Sequence, residues 1–469
     1  MSVSEDGIYE YKDGTVLEIR PHTAPRPFGV MHACWYGEPK NEYNSYHGFH
    51  NFPRNRHHQL RFVLDKPPVA TPPVGGPKVK FTIKKTVVGP KPMDFDRSDE
   101  EEEEEDEQDE SDVEDENSNW KTRMIERQRR DPRLPPDDHP YSGAIVLAGE
   151  ALLPGQEGPA RDYIAKVYDA AYYPTSFQEI DDDDGGDLPD CCTRADMDYA
   201  GEVAAYELIR NSGQPGIEKG TLRYYGAWTF KVPCKAADRG YRWVRMVLLE
   251  KLNGAVPMSR LVREGKQDQD QDILPGETDR LRTLRHMIEV NEELWWFCQI
   301  DHCELKPHDV LVRRDGSVVI INFQTALLCS FIKKQEFNLH PRVRAPADLD
   351  EHQLRRLCRF SPVQRHWPWG IYPSSVDSWQ LVRTREQEPE AGILDGWVPK
   401  SWLGEPAGAA VWLLETYHLD PRYRLLDDRF FGEENHQKGG EKLQACLEAV
   451  KAACGLPLQY SKSGNDMRH

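Results

Sequence analysis

The stretch DHCELKPHDVLVRRDGSVVIINFQ, residues 301–324, concentrates groups that can do chemistry. Glu304 and Asp309 are carboxylates five residues apart, Lys306 is a cation between them, and Asn322 follows a short apolar hairpin pattern. Phosphoryl transfer is a reaction such groups could serve, since it depends on positioning and charge neutralisation more than on covalent help. It needs a cation on the phosphates, a carboxylate to orient the accepting hydroxyl, and Mg²⁺ held by oxygen ligands in near-octahedral geometry.

Those groups must be carried by regular elements. DVLVRRDGSVVIIN reads as a hairpin turning at Asp315-Gly316. Ahead of it, Leu281, Leu284, Met287, Ile288, Leu294 and Cys298 recur at helical spacing, which predicts a long helix from about Thr278. Strands are expected in QLRFVL, in KVKFTIKKTVV, where Val79, Phe81 and Ile83 alternate with polar residues, in AIVLAGEALL, in DYIAKVYDA and in RWVRMVLLEKL. IYEYKDGTVLEI is a hairpin candidate about Asp13-Gly14. A helix is expected to start near Thr193, with Asp196 three residues on as in a capping box, to carry Val203, Ala204 and Leu208, and to end at Gly213. Gly149, Gly155 and Gly158 read as turn glycines.

The catalytic-type stretch resembles the protein-kinase superfamily, whose pattern is H-x-D-L-x-P-x-N followed by D-F-G; the nearest resemblance is to divergent kinase-like proteins of filamentous fungi. His302 to Asp309 stand at the first pattern, and Asn322, Phe323 and Gln324 at the second. The resemblance implies a catalytic role for Glu304 and a phosphate contact for Lys306. It implies metal ligation by Asp309 and Asn322. Lys166 in YIAKVYD resembles the strand lysine that meets nucleotide phosphates, and Glu202 the helix glutamate that pairs with it, with Glu207 as a competing candidate. Leu249, Glu250 and Leu252 resemble the gatekeeper and hinge. Arg344-Ala345-Pro346, with Ala347 in place of Glu, resembles the end of an activation segment, and Asp377 and Trp379 a later helix motif. ATP and Mg²⁺ are the implied cofactors.

The departures bear on activity. No G-x-G-x-x-G precedes Lys166. Glu304 adds a methylene to the expected Asp, displacing its carboxylate by about 1.5 Å, and a misplacement of about 1 Å can cost on the order of 100-fold in rate. Asp309 and Asn322 exchange the family's Asn and Asp, and Gln324 replaces a flexible Gly. The expectation is therefore a pseudokinase, impaired in phosphoryl transfer and acting through protein binding. The competing expectations are a weakly active Ser/Thr protein kinase, a small-molecule phosphotransferase of the aminoglycoside or choline kinase type, and an N-terminal interaction module that carries the function itself.

Composition sets the frame. The chain has 469 residues and a net charge of −19, but the block from Asp99 to Glu116 holds 15 acidic residues and no basic one, leaving −4 for the rest. A global nucleic-acid-binding surface is not expected, nor is a membrane span, since no apolar run is long enough. His47, His50, His57 and His58 read as a polar loop rather than a zinc site. Ten cysteines without metal-type pairing, and an N-terminus with no apolar leader, suggest an intracellular protein, cytoplasmic or nuclear, whose protein partner the residues do not name. The expected fold class is α+β. It is a bilobal kinase-like fold with a β-rich N-terminal extension (1–95), a disordered acidic and basic linker (96–138), a kinase-like N-lobe (139–252) and a helical C-lobe with a C-terminal extension (253–469).

Overall fold

The computed structural model describes residues 9–27, 60, 63–64, 76–88, 143–173, 191–262, 276–302, 305, 307–328, 406–418, 420 and 440–453. The chain divides into two units, Met1–Glu207 with Arg223–Leu252, and Leu208–Leu222 with Asn253–His469.

In the first unit, six strands form a closed antiparallel barrel: β1 (Val16–Pro21), β2 (Val79–Val88), β3 (Ile145–Ala151), β4 (Arg161–Tyr168), β5 (Tyr224–Pro233) and β6 (Tyr241–Glu250). Their order is β1-β2-β3-β4-β6-β5, and β1 pairs back onto β5, with Ile19 opposite Phe230. The interior follows from the two-residue side-chain period. Leu17 and Ile19, then Val79, Phe81 and Ile83, then Ile145 and Leu147 form one buried cluster with Ala165, Val167, Phe230, Val232, Val244, Met246 and Leu248. Closure pairs what would otherwise be exposed strand edges.

This architecture overturns the bilobal kinase-like α+β fold. The β-structure is one closed six-strand barrel, and helices are few among the described residues. β1 and β2 are not an extension, because they supply two of its staves. Motifs read along the chain locate strands but do not say which strands pair. β5 escaped the sequence reading for a local reason. Gly226, at φ 107°, sits in a register shift between Tyr224 and Ala227 that interrupts the alternation.

Other expectations shift in detail. Leu60 and the pair Val63 and Leu64 are helical, not extended; their i, i+3, i+4 spacing is a helical one, and Leu60 and Val63 are buried. Of the candidate N-terminal hairpin, the turn at Asp13-Gly14 and the second arm are present, but that arm pairs with β2 and β5. Gly149 lies within β3 rather than in a turn, and any Cβ there would run into the Phe81 ring. Gly155 and Gly158 do turn the chain, at φ 78° and 93°. Helix α1 (Cys191–Ser212) begins two residues before Thr193, which therefore is not its cap, and Gly213 follows its end at φ 60°.

The second unit contains α2 (Pro215–Gly220), α3 (Met258–Val262), α4 (Glu277–Glu293), α5 (Pro406–Tyr417) and α6 (Gly440–Ala453). Leu284, Met287 and Ile288 of α4 are buried, and its apolar stripe continues through a π-helical turn, Leu294–Cys298. Strand β9 (Val310–Val312) forms the expected hairpin with β10 (Val318–Ile320), flanked by β7 (Val256–Pro257). Asp315 Oδ1 accepts from the Ser317 amide at 2.9 Å, and Gly316 takes φ 80°, which makes the turn. Strands β8 (Ile300–Asp301) and β11 (Leu327–Leu328) pair separately. Among the described residues no helix is long and apolar enough to cross a membrane.

Candidate functional site

Two constellations gather the predicted residues, one in each unit. The first sits on the outer face of the barrel. Ala165 and Val167 point into the core, so the alternation turns Lys166 and Tyr168 outward, where α1 covers them. Lys166 Nζ donates to Glu202 Oε2 at 2.8 Å. Glu202 is fully buried, whereas Glu207 is exposed, so the pairing partner is Glu202. Glu202 Oε1 and the Tyr168 hydroxyl are buried and receive no hydrogen bond among the described residues.

The surroundings are strongly ionic. Arg245 pairs with Asp196 and lies over the Tyr199 ring at 5.0 Å. Asp198 accepts from Arg194 Nε at 3.1 Å and from the Tyr173 hydroxyl at 3.3 Å. Burial is the dominant influence on Asp198; it outweighs Arg194, Lys166 and the Tyr173 hydrogen bond, acts in the same sense as Glu202, and pushes the carboxyl from 3.8 up to about 6. Between the unfolded value of 3.8 and the folded value of about 6, the folded state therefore holds a proton that the unfolded chain releases. The resulting stability is complete below pH 4 and is lost as pH rises through about 6. A change from 3.8 to about 6 is worth on the order of 3 kcal/mol. Asp198→Asn is expected to raise the unfolding free energy at pH 7.5 by up to about that amount, with the two proteins converging towards pH 4. Urea titrations at both pH values measure this, and an unchanged or lowered stability at pH 7.5 would refute it.

Glu250 closes the end of β6 with Arg223. Its amide donates to the Arg223 carbonyl at 2.9 Å, and its Oε2 accepts from the Arg223 amide at 3.3 Å. Leu252 follows the strand and is half-buried.

The second constellation is built on the β9–β10 hairpin. Asp309 ends a 3₁₀ turn, Pro307–Asp309, and is 3% exposed. Its carbonyl accepts from the Ile321 amide at 2.9 Å, and its Oδ1 accepts from Asn322 Nδ2 at 2.9 Å. Its Oδ2 faces His308 Nε2 at 3.5 Å. His302 Nε2 lies 2.8 Å from the Ile321 carbonyl, which makes that nitrogen the donor. Asn322 takes φ 69°, a left-handed conformation that Asn tolerates better than most residues. Gln324 is half-buried in the turn that follows. Glu304, Lys306, Cys303, the histidine cluster and residues 344–347, 377 and 379 lie outside the described residues.

The Mg²⁺ that the motif implies is a poor fit to this pair. Mg²⁺ is bound through one or two carboxylates with strict octahedral geometry. Here the amide of Asn322 donates its N–H₂ to the one carboxylate of the pair, and an N–H donor cannot ligate a cation.

A third cluster was missed in the sequence. Arg242 donates to both carboxylate oxygens of Asp169, at 2.5 and 2.7 Å, and the Tyr11 hydroxyl donates to Asp169 Oδ2 at 2.6 Å. The Tyr172 hydroxyl donates to the Tyr9 carbonyl beside it. Arginines inside the apolar strand RWVRMVLLE were the available signal, since buried strand charges require partners. No protein-family model and no curated protein matches this chain.

Proposed function

We propose that this protein acts by binding a protein partner and not by phosphoryl transfer, a reading that needs no kinase-like fold. The observation that carries the reading is the bond from Asn322 Nδ2 to Asp309 Oδ1. Metal-assisted transfer needs an oxygen ligand set that neutralises phosphate charge. Asp309 is committed instead to an amide donor, with His308 facing its other oxygen. That arrangement opposes both a weakly active protein kinase and a small-molecule phosphotransferase. Lys166, oriented by Glu202, is the cation through which a nucleotide phosphate would be held. The buried thiols of Cys191, Cys234 and Cys298 support an intracellular setting, burial pushing that of Cys298 up to about 11.

The test is a thermal-shift titration of the full chain with ATP, with and without Mg²⁺, beside a radiolabel assay for phosphate transfer. A ligand that binds only the folded state raises Tm. Any ATP-dependent rise is expected to be the same with and without Mg²⁺ and to be smaller in Lys166→Met, judged within each variant. No labelled product is expected. A Mg²⁺-dependent rise together with transfer, both lost in Asp309→Ala, would overturn the proposal.

A further inference from the structure

We infer that the Asp309–Asn322 pair is a built-in replacement for a divalent cation, a clamp that ties the Pro307–Asp309 turn to residues 321–328 whether or not metal is present. This goes beyond the binding reading, because it concerns how the loop is held and involves no nucleotide. Three bonds converge on the node. The Ile321 amide reaches the Asp309 carbonyl, the Asn322 amide reaches the Asp309 carboxylate, and His302 reaches the Ile321 carbonyl. The carboxylate is almost wholly buried, so it requires a donor or a cation close by. Asparagine provides the donor.

The left-handed backbone of Asn322 fits the same purpose. It turns the chain so that the amide faces Asp309 while the next residue, Phe323, is fully buried with its ring 5.3 Å from that of His302. The chain then turns, with the Ala326 amide on the Phe323 carbonyl at 3.1 Å, and β11 pairs with β8. An aspartate at 322 would set two carboxylates at hydrogen-bonding distance, where both could stay ionised only around a cation. One carboxylate and one amide close the same gap with no ion.

The experiment compares the apo protein in EDTA with the protein in millimolar MgCl₂ or MnCl₂ at matched ionic strength, without nucleotide. Amide hydrogen exchange over 300–302 and 309–328 and the Tm are read together. The wild type is expected to show no cation effect on either. Asn322→Gly keeps a residue for which positive φ carries no steric penalty, so it removes the amide without adding backbone strain, and Asn322→Ser, which keeps a Cβ, controls for glycine's added backbone freedom; exchange of 321–328 is expected to quicken roughly tenfold to a hundredfold in both. Asn322→Asp is expected to lower Tm in EDTA and to regain it with divalent cation. If that variant does not fold in EDTA, refolding in MnCl₂ gives the same reading. Cation-dependent protection in the wild type that disappears in Asp309→Asn would overturn the inference. So would unchanged exchange in Asn322→Gly, which would leave the bond with no holding role.

Discussion

Asp169→Ala is expected to remove about 3–5 kcal/mol of unfolding free energy, the usual cost of breaking a buried ion pair by deleting one partner. Asp169 is 1% exposed and Arg242 is 7% exposed, so the variant leaves a guanidinium inside the protein with both of its carboxylate bonds gone. The Tyr11 hydroxyl loses its acceptor as well. Its phenol is already pushed well above its usual range, by burial first and by Asp169 second. This cluster joins the segment before β1 to the end of β4 and the start of β6, so its loss loosens the barrel at a point where distant parts of the sequence meet. The control is the apolar pair Asp169→Leu with Arg242→Met, which removes both charges and is expected to cost markedly less than Asp169→Ala alone. Tyr11→Phe should cost about 1.5–3 kcal/mol as the loss of one hydrogen bond to a charged group. Guanidinium titrations of the four proteins at one pH measure all of these. A single-variant loss below about 1 kcal/mol, as for an exposed pair, would show that the pair is not desolvated as described.

Lys166→Met is expected to cost a similar amount, about 3–5 kcal/mol, for a different reason. It leaves Glu202, fully buried, without the cation on its Oε2, while its Oε1 already receives no hydrogen bond among the described residues. Asp198 adds like charge nearby and Tyr168 adds a buried hydroxyl. Adding Glu202→Gln removes the stranded charge, and adding Glu202→Leu removes the polar group too, so stability should recover in that order. The same series separates structure from binding. If Lys166 serves only to seat α1 on the barrel, the ATP-dependent change in Tm is unaltered in every variant. If it also meets a phosphate, that change falls in Lys166→Met even though Lys166→Met with Glu202→Leu is stable. A cost below about 1 kcal/mol for Lys166→Met would refute the buried-pair account.

Much of the local structure was legible because it depends on periods of two and of 3.6 residues. Val79, Phe81 and Ile83 alternate in the sequence and line the barrel; Leu284, Met287 and Ile288 lie on the buried face of their helix. Turns at Asp13-Gly14 and Asp315-Gly316, and the stop at Gly213, follow from glycine's freedom at positive φ. The residues of both constellations were also visible as types, because carboxylates, lysine and asparagine near apolar elements attract attention wherever they occur. The sequence misled at QLRFVL, where an apolar run of strand-like composition is helical at its described residues, and at Thr193, where a cap pattern lies inside a helix.

What the sequence by itself determined was therefore which segments alternate, where they turn and which charged residues must find partners. The tertiary structure alone decided the partners. β1 meets β5 across about two hundred residues, and nothing local to Ile19 specifies Phe230. Arg242 meets Asp169, Lys166 meets Glu202 and not Glu207, and Asn322 turns its amide onto Asp309. The physical reason is that periodicity is a property of one backbone segment, whereas pairing is settled by burying apolar faces and satisfying backbone and charged groups over the whole barrel at once. The closed barrel in place of a bilobal kinase-like fold is the plainest case, since every strand the motifs located could belong to either.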